Sequence, residues 1–242
     1  MDTMDKMIAP AQAALATAKT MGASGAKIGV SRTETISVNF EAGRLKDTGG
    51  AQTLAFHVAV LVDGRRGSAT CGAPDELRQA VGRAVELAKL GGVAHFAAWP
   101  APAPSTVVPG HSEATAALTR EALIDACQEV ANTLRDYTPD LCVACSAARW
   151  LGESLLVTSG GVAHQRRDGG WSLGGSAQRT NGTDMLSVYG NRCGGEANAS
   201  FSPKSLASEL LFHLRHSERA APAPTGQVKA FLTPEALGWF LW

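Results

Sequence analysis

The sequence predicts an α+β chain in which one plan, helix then four strands then helix, is laid out twice, with mostly antiparallel sheets and flanking helices. Three observations predict it. Several stretches alternate strictly between apolar and polar residues, as half-buried strands do. Other stretches place apolar residues three and four apart, as one face of a helix does. Asp63-Gly64 and Asn181-Gly182 are hairpin signals between alternating runs.

In the first half, Ala11, Ala14, Leu15 and Ala18 fall at helical spacing, with Pro10 near the start and Gly22 near the end. Ile28 and Val30, then Ile36, Val38 and Phe40, share one parity. They read as two strands broken around Arg32-Thr33-Glu34. Gly43 is a turn position. Leu54 to Val62 alternates again, and a short strand runs through Ser68, Ala69 and Thr70. The next helix carries Leu77, Ala80, Val81, Ala84, Val85 and Ala88 on one face and closes at Gly91.

Trp99-Pro100-Ala101-Pro102-Ala103-Pro104 reads as a semi-extended linker, because proline removes donors and favours extended backbone. The second half opens on a helix with Leu123, Ala126, Cys127, Val130 and Leu134 on one face. Strands follow at 141–145, around Leu155-Leu156-Val157, through Trp171, Leu173 and Ala177, and from Met185 to Tyr189. Ser202-Pro203 caps a helix carrying Leu206, Leu210 and Leu214. The expected division is an N-terminal unit at 1–92, a Pro/Ala-rich linker at 93–118, a second unit at 119–218, and a linker with the start of a further domain at 219–242. There a strand from Val228 to Leu232 leads to a helix capped by Thr233 and opened by Pro234. No closing signal precedes Trp242, and Trp239, Phe240, Leu241 and Trp242 are apolar. The expectation is a fragment, the front part of a longer protein, with that apolar end either packed on a neighbour or disordered.

The formal net charge is zero, which gives no electrostatic case for nucleic acid or an anionic membrane. Arg65-Arg66 and Arg166-Arg167 read as solvated turn tips. No apolar stretch is long enough to span a bilayer, and the first residues lack a signal-peptide pattern, so a cytoplasmic location is expected. Five cysteines with irregular spacing suit reduced, packed thiols better than a disulfide framework.

No stretch supplies a legible active site. Cys142-Val143-Ala144-Cys145 has redox or zinc spacing, but residues three apart on a strand face opposite ways and no second pair accompanies them. His213 and His216 are three apart on a helix without the Glu that a metallopeptidase helix needs as base. His57 reads as a half-exposed strand residue, and His95, His111 and His164 as loop residues. Gly160-Gly161, Gly169-Gly170 and Gly174-Gly175 do not have phosphate-loop spacing and read as turns and sheet bends. Asn181-Gly182-Thr183 and Asn198-Ala199-Ser200 match a glycosylation pattern that has no secretory context here. No catalytic, cofactor-binding or metal residue is assigned.

An ordered set of segments resembles one family. Met21-Gly22-Ala23, then Ala26 to Val38, then Glu41-Ala42-Gly43-Arg44-Leu45 resembles its opening helix end and hairpin. Val58 to Thr70 resembles its next hairpin. Val157-Thr158-Ser159-Gly160-Gly161 resembles its "Asn-Ser-x-Gly" turn, with Thr158 in place of Asn, and Gln227 to Leu237 resembles the start of its C-terminal half. The family is the TldD/PmbA proteins, called modulators of DNA gyrase and understood as zinc metallopeptidases. The resemblance implies pairing of two related subunits, as a hetero- or homodimer, around an extended peptide substrate. Zinc is implied only in a TldD-type partner, which carries a His-Glu-x-x-x-His motif that this sequence lacks. Thr233-Pro234-Glu235-Ala236 resembles the PmbA-type start more than the Gly-rich TldD-type one.

The resemblance implies an N-terminal scaffold that serves subunit assembly and peptide-groove formation in proteolysis and is not catalytic alone. The alternative is a standalone protein-interaction module with no peptidase role. A nucleic-acid regulator is opposed by the zero net charge. Metal analysis of the purified chain is expected to find no stoichiometric zinc. One tight zinc, lost on changing His213 or Cys142, would overturn these readings.

Overall fold

The computed structural model describes residues 4–104, 110, 112–198, 200–219, 221–222, 225–233 and 236–237. His111, Ala199, Pro234, Glu235 and Trp239 to Trp242 lie outside them. The elements are α1 (Asp5–Thr20), β1 (Gly25–Glu41), β2 (Arg44–Val62), β3 (Arg65–Cys71), α2 (Leu77–Leu90), α3 (Glu113–Ala116), α4 (Arg120–Tyr137), β4 (Cys142–Thr158), β5 (Ala163–Asn181), β6 (Asp184–Gly194) and α5 (Pro203–Ser217). All six strands form one antiparallel sheet in the order β3-β2-β1-β4-β5-β6.

The α+β class with an antiparallel sheet and flanking helices is what the chain adopts. The strand count differs from expectation: each half has three strands, not four. Arg32, Thr33 and Glu34 do not break β1, because each pairs with β2 on one side and β4 on the other. A strand with ladders on both edges stays extended through polar residues. In the second half, the expected strands at 141–145 and 155–157 are likewise two ends of β4.

Local chemistry fixes the turns and caps. Ala42-Gly43 and Asp63-Gly64 both take positive φ, which gives the twist that tight hairpins need. Thr119 Oγ1 accepts from Ala122 N at 3.2 Å, and Ser202 Oγ from Ser205 N at 3.2 Å, so α4 and α5 start on side-chain caps. α1 begins before Pro10, which sits inside the helix at the cost of one backbone hydrogen bond. Within the expected linker, Ser112 caps α3, and the buried Thr115 hydroxyl donates to Gly195 O at 2.9 Å. The strand expected from Val228 to Leu232 does not form. It has no strand partner among the described residues, and Phe231 is 92% exposed. The expected cap beyond it is present, with Ala236 N donating to Thr233 Oγ1 at 3.3 Å.

The four long helices lie on one face of the sheet. Inward residues of β4 alternate cleanly: Val143, Cys145, Ala147 and Arg149 are buried while Cys142, Ala144, Ser146 and Trp150 are exposed. Two cores result. One joins α1 and α2 to Ala26, Ile28 and Val30 of β1, Phe56, Val58 and Val60 of β2, and Leu155 and Val157 of β4. The other joins α4 and α5 to Val38 and Phe40 of β1, the first half of β4, and Trp171 and Leu173 of β5.

Gly67 sets how closely α2 approaches the sheet. A Cβ there would lie 1.9 Å from Ala84 O and 2.5 Å from Ala88 N. Gly67→Ala is expected to cost about 3 kcal/mol by overpacking. Gly72→Ala, where a Cβ meets open space, should change stability by under about 0.5 kcal/mol. Urea unfolding of the two variants checks this, and equal midpoints would refute the close contact.

Candidate functional site

The opposite face of the sheet carries no helix among the described residues. Its central row is Ser31, Thr33, Thr35 and Ser37 of β1. Beside it lie Ala55, Thr53, Ala51 and Gly49 of β2, and Ser154, Gly152, Trp150 and Ala148 of β4. These side chains are short, so the face is smooth, hydroxyl-rich and poor in charge along its middle. Trp150 is its large apolar feature, 37% exposed and lying across Gly170, where a Cβ would sit 2.4 Å from the indole.

One border of this face is an open strand edge. β3 covers only Phe56–Val62 of β2, so the outer edge of residues 44–55 has no strand partner among the described residues. The matching edge of β5 at residues 163–170 is also beyond the reach of β6, but Gly110 packs there against the Arg167 backbone. Unpaired edges can accept an added strand. Arg44, Lys46 and Asp47 put charge on the β2 edge.

The covered face holds a charged band between the two cores. Arg149 is 5% exposed. It donates to Glu34 through Nη2 and to Ala116 O through Nη1 at 2.9 Å. Arg32 and Arg167 both approach Glu153, at 3.6 and 3.4 Å. Glu34 and Arg32 belong to β1, Arg149 and Glu153 to β4, and Arg167 to β5, so the band crosses the middle of the sheet. The contact to Ala116 also ties the α3 segment down over it.

The residues weighed for chemistry are not brought together. Cys142 is exposed on one face and Cys145 buried on the other. His213 lies 4.0 Å from Glu209, while His216 bonds Phe212 O at 2.7 Å and stacks on the Phe212 ring. His57 sits exposed on the open face with Nε2 3.5 Å from Ser31 Oγ, and among the described residues no carboxylate orients the imidazole as a nucleophile–base pair requires. His95 and His164 are exposed. No group of three or more His, Cys, Asp or Glu residues among those described could hold a metal ion. No described helix is long and apolar enough to cross a membrane.

The Val157-to-Gly161 turn is a structural clasp. Ser159 N donates to Ala26 O at 2.8 Å, and Ser159 Oγ accepts from Ala26 N at 3.0 Å. Thr158 N donates to Val162 O at 3.0 Å, closing the turn. Gly160 touches the backbone of Trp99 and Pro100, so the connector between the halves passes over it.

Residues 26–88 match the family model for domain 1 of the PmbA/TldA metallopeptidases. Over that segment the chain is similar to domain 1 of that family. The match runs from the inward-facing Ala26 of β1 to Ala88, the last buried residue of α2. No curated protein matches the chain by sequence. Among solved structures, TldE from Thermococcus kodakarensis aligns with a TM-score of 0.73 at 13% identity, over 84% of this chain and 47% of that one. A candidate modulator of DNA gyrase from Bacteroides thetaiotaomicron VPI-5482 gives 0.77 at 17% identity, over 87% and 50%. Another from Thermotoga maritima MSB8 gives 0.70 at 14% identity, over 84% and 47%. At these identities the likeness is one of fold. The chain spans about half the length of each solved TldD/PmbA-like structure.

The charged band makes an asymmetric prediction. Glu34→Ala strands a buried guanidinium and is expected to cost about 3 kcal/mol. Arg149→Met leaves a carboxylate that is 36% exposed and can be hydrated, so it should cost less. Combining the two should recover much of the Glu34→Ala loss. A double-mutant cycle by urea denaturation checks this, and simple additivity would remove the bridge from the account.

Proposed function

We propose that the chain is the N-terminal scaffold half of a TldD/PmbA-type, metallopeptidase-related protein. Its open sheet face and bare β2 edge serve subunit assembly and the lining of a groove for extended peptide, and it does not cleave peptides alone. The observation that carries the reading is the helix-free face. Among the described residues it is built along its middle from Ser, Thr, Ala and Gly with Trp150 beside them, short side chains that a second protein layer can approach closely and one aromatic it can cover. The family match over residues 26–88 and solved chains of which this one covers only 47–50% support a larger assembly around this unit. Extended peptide suits an edge strand, because main-chain hydrogen bonds supply affinity that depends little on side chains.

The test mixes the purified chain with the zinc-motif TldD-type subunit from the same source. Light scattering is expected to show a complex, and cleavage of an unstructured peptide should require the mixture. Thr35→Arg and Ala148→Arg, both on the open face, should weaken association at least about tenfold, an interfacial loss near 1.4 kcal/mol or more, without lowering Tm. A chain that stays monomeric beside that subunit, or variants that bind it undiminished, would sink the proposal.

A further inference from the structure

Cys145 has a partner that its own motif does not suggest. It points inward from β4, and Cys127 points down from the buried face of α4 into the same core. Val130, one turn further along α4, reaches Gly175, the residue paired with Cys145 on β5. A Cβ on Gly175 would lie 3.5 Å from Val130 Cγ1. That places α4 over Cys145, with both thiols buried in one core and close enough for each to shift the other's pKa. The other cysteines are elsewhere. Cys142 is exposed on the opposite face, Cys71 packs against the other core, and Cys193 is exposed.

We propose that Cys127 and Cys145 form a redox latch, which a small disulfide oxidant such as glutathione disulfide closes into an intramolecular disulfide stapling α4 to β4. Two inward thiols on packed elements of one core need a local movement of α4 to reach a bond of about 2.05 Å. Their proximity also favours a first thiolate. The hydrogen bond with Cys145 lowers the Cys127 pKa, and the same contact, with burial, raises that of Cys145.

One protein thiol loses its proton and attacks a sulfur of glutathione disulfide, forming a mixed disulfide and releasing one glutathione thiolate. The second protein thiol then loses its proton and attacks the protein sulfur of that mixed disulfide, releasing the second glutathione. The protein is oxidised by two electrons and the oxidant becomes two glutathiones, which take up the two protons. Burial makes access depend on transient lifting of α4, so closure proceeds at the rate of local opening and then suppresses that opening.

The experiment incubates the full chain with glutathione disulfide under native conditions, followed by intact mass and peptide mapping after alkylation. The expected result is loss of two hydrogen atoms, a Cys127–Cys145 cross-linked peptide, and a Tm raised by roughly 5–10 °C that dithiothreitol reverses. Cys142→Ala should close in the same way. Cys127→Ala and Cys145→Ala should form no intramolecular link and show no rise in Tm. Glutathione adducts at Cys142 and Cys193, with Cys127 and Cys145 still alkylatable after unfolding, would overturn the proposal. So would a cross-link of any other pair.

Discussion

The pairing of β1 with β4 is the constraint on which the rest of the chain depends. From Lys27↔Thr158 to Phe40↔Cys145 the two strands run antiparallel without a register shift. This one ladder turns two helix-flanked hairpin sets into a single sheet, because β1 is also paired along its other edge to β2. A one-residue slip would turn every inward residue of β4 outward, Val143, Cys145 and Ala147 among them. The register is therefore held by both cores, each of which takes residues from both strands.

Between the cores the covered face would otherwise have to be filled with apolar side chains or left open. The chain instead places Glu34, Arg149, Arg32 and Glu153 there, paired across the β1–β4 ladder. Such a band adds little net stability compared with apolar packing, but its pairs are satisfied in only one register. The Arg149 contact with Ala116 extends the constraint to the connector, which Gly160 and the Ser159 clasp also hold.

Helices were the most legible part of the sequence. Every apolar position named on α2, α4 and α5 is buried, because period and capping both act locally. Strand number was not legible at Arg32-Thr33-Glu34, where polarity resembles a break. Only the long-range ladder on both sides keeps those residues extended. Val228 to Leu232 failed for the converse reason. Its alternation suits a strand, but a strand needs a neighbour, and none of the described residues provides one.

The site was legible mainly as a negative reading of motifs. The open face is written as Ser31, Thr33, Thr35 and Ser37, which as a sequence looks like an ordinary exposed strand side. It becomes a surface only when β2 and β4 bring matching short residues beside it. Arg149 was invisible for a similar reason. It shares the inward parity of Val143, Cys145 and Ala147, but an arginine is buried there only with its partner Glu34, which lies 115 positions away. The approach of Cys127 to Cys145 likewise depends on how α4 lies on the sheet.

The central place of β1 has a further consequence during synthesis. β1 and β2 leave the ribosome together and can pair at once as a hairpin. The inner edge of β1 must then wait for β4, more than a hundred residues later. At elongation rates of about 5–20 residues per second, that edge stays unpaired for roughly ten seconds. Its middle, Ser31 to Ser37, is polar and hydroxyl-rich, whereas its ends, Ile28, Val30, Val38 and Phe40, are apolar. The same polar centre that looked like a strand break keeps the waiting strand from being a continuous sticky template for a neighbouring nascent chain.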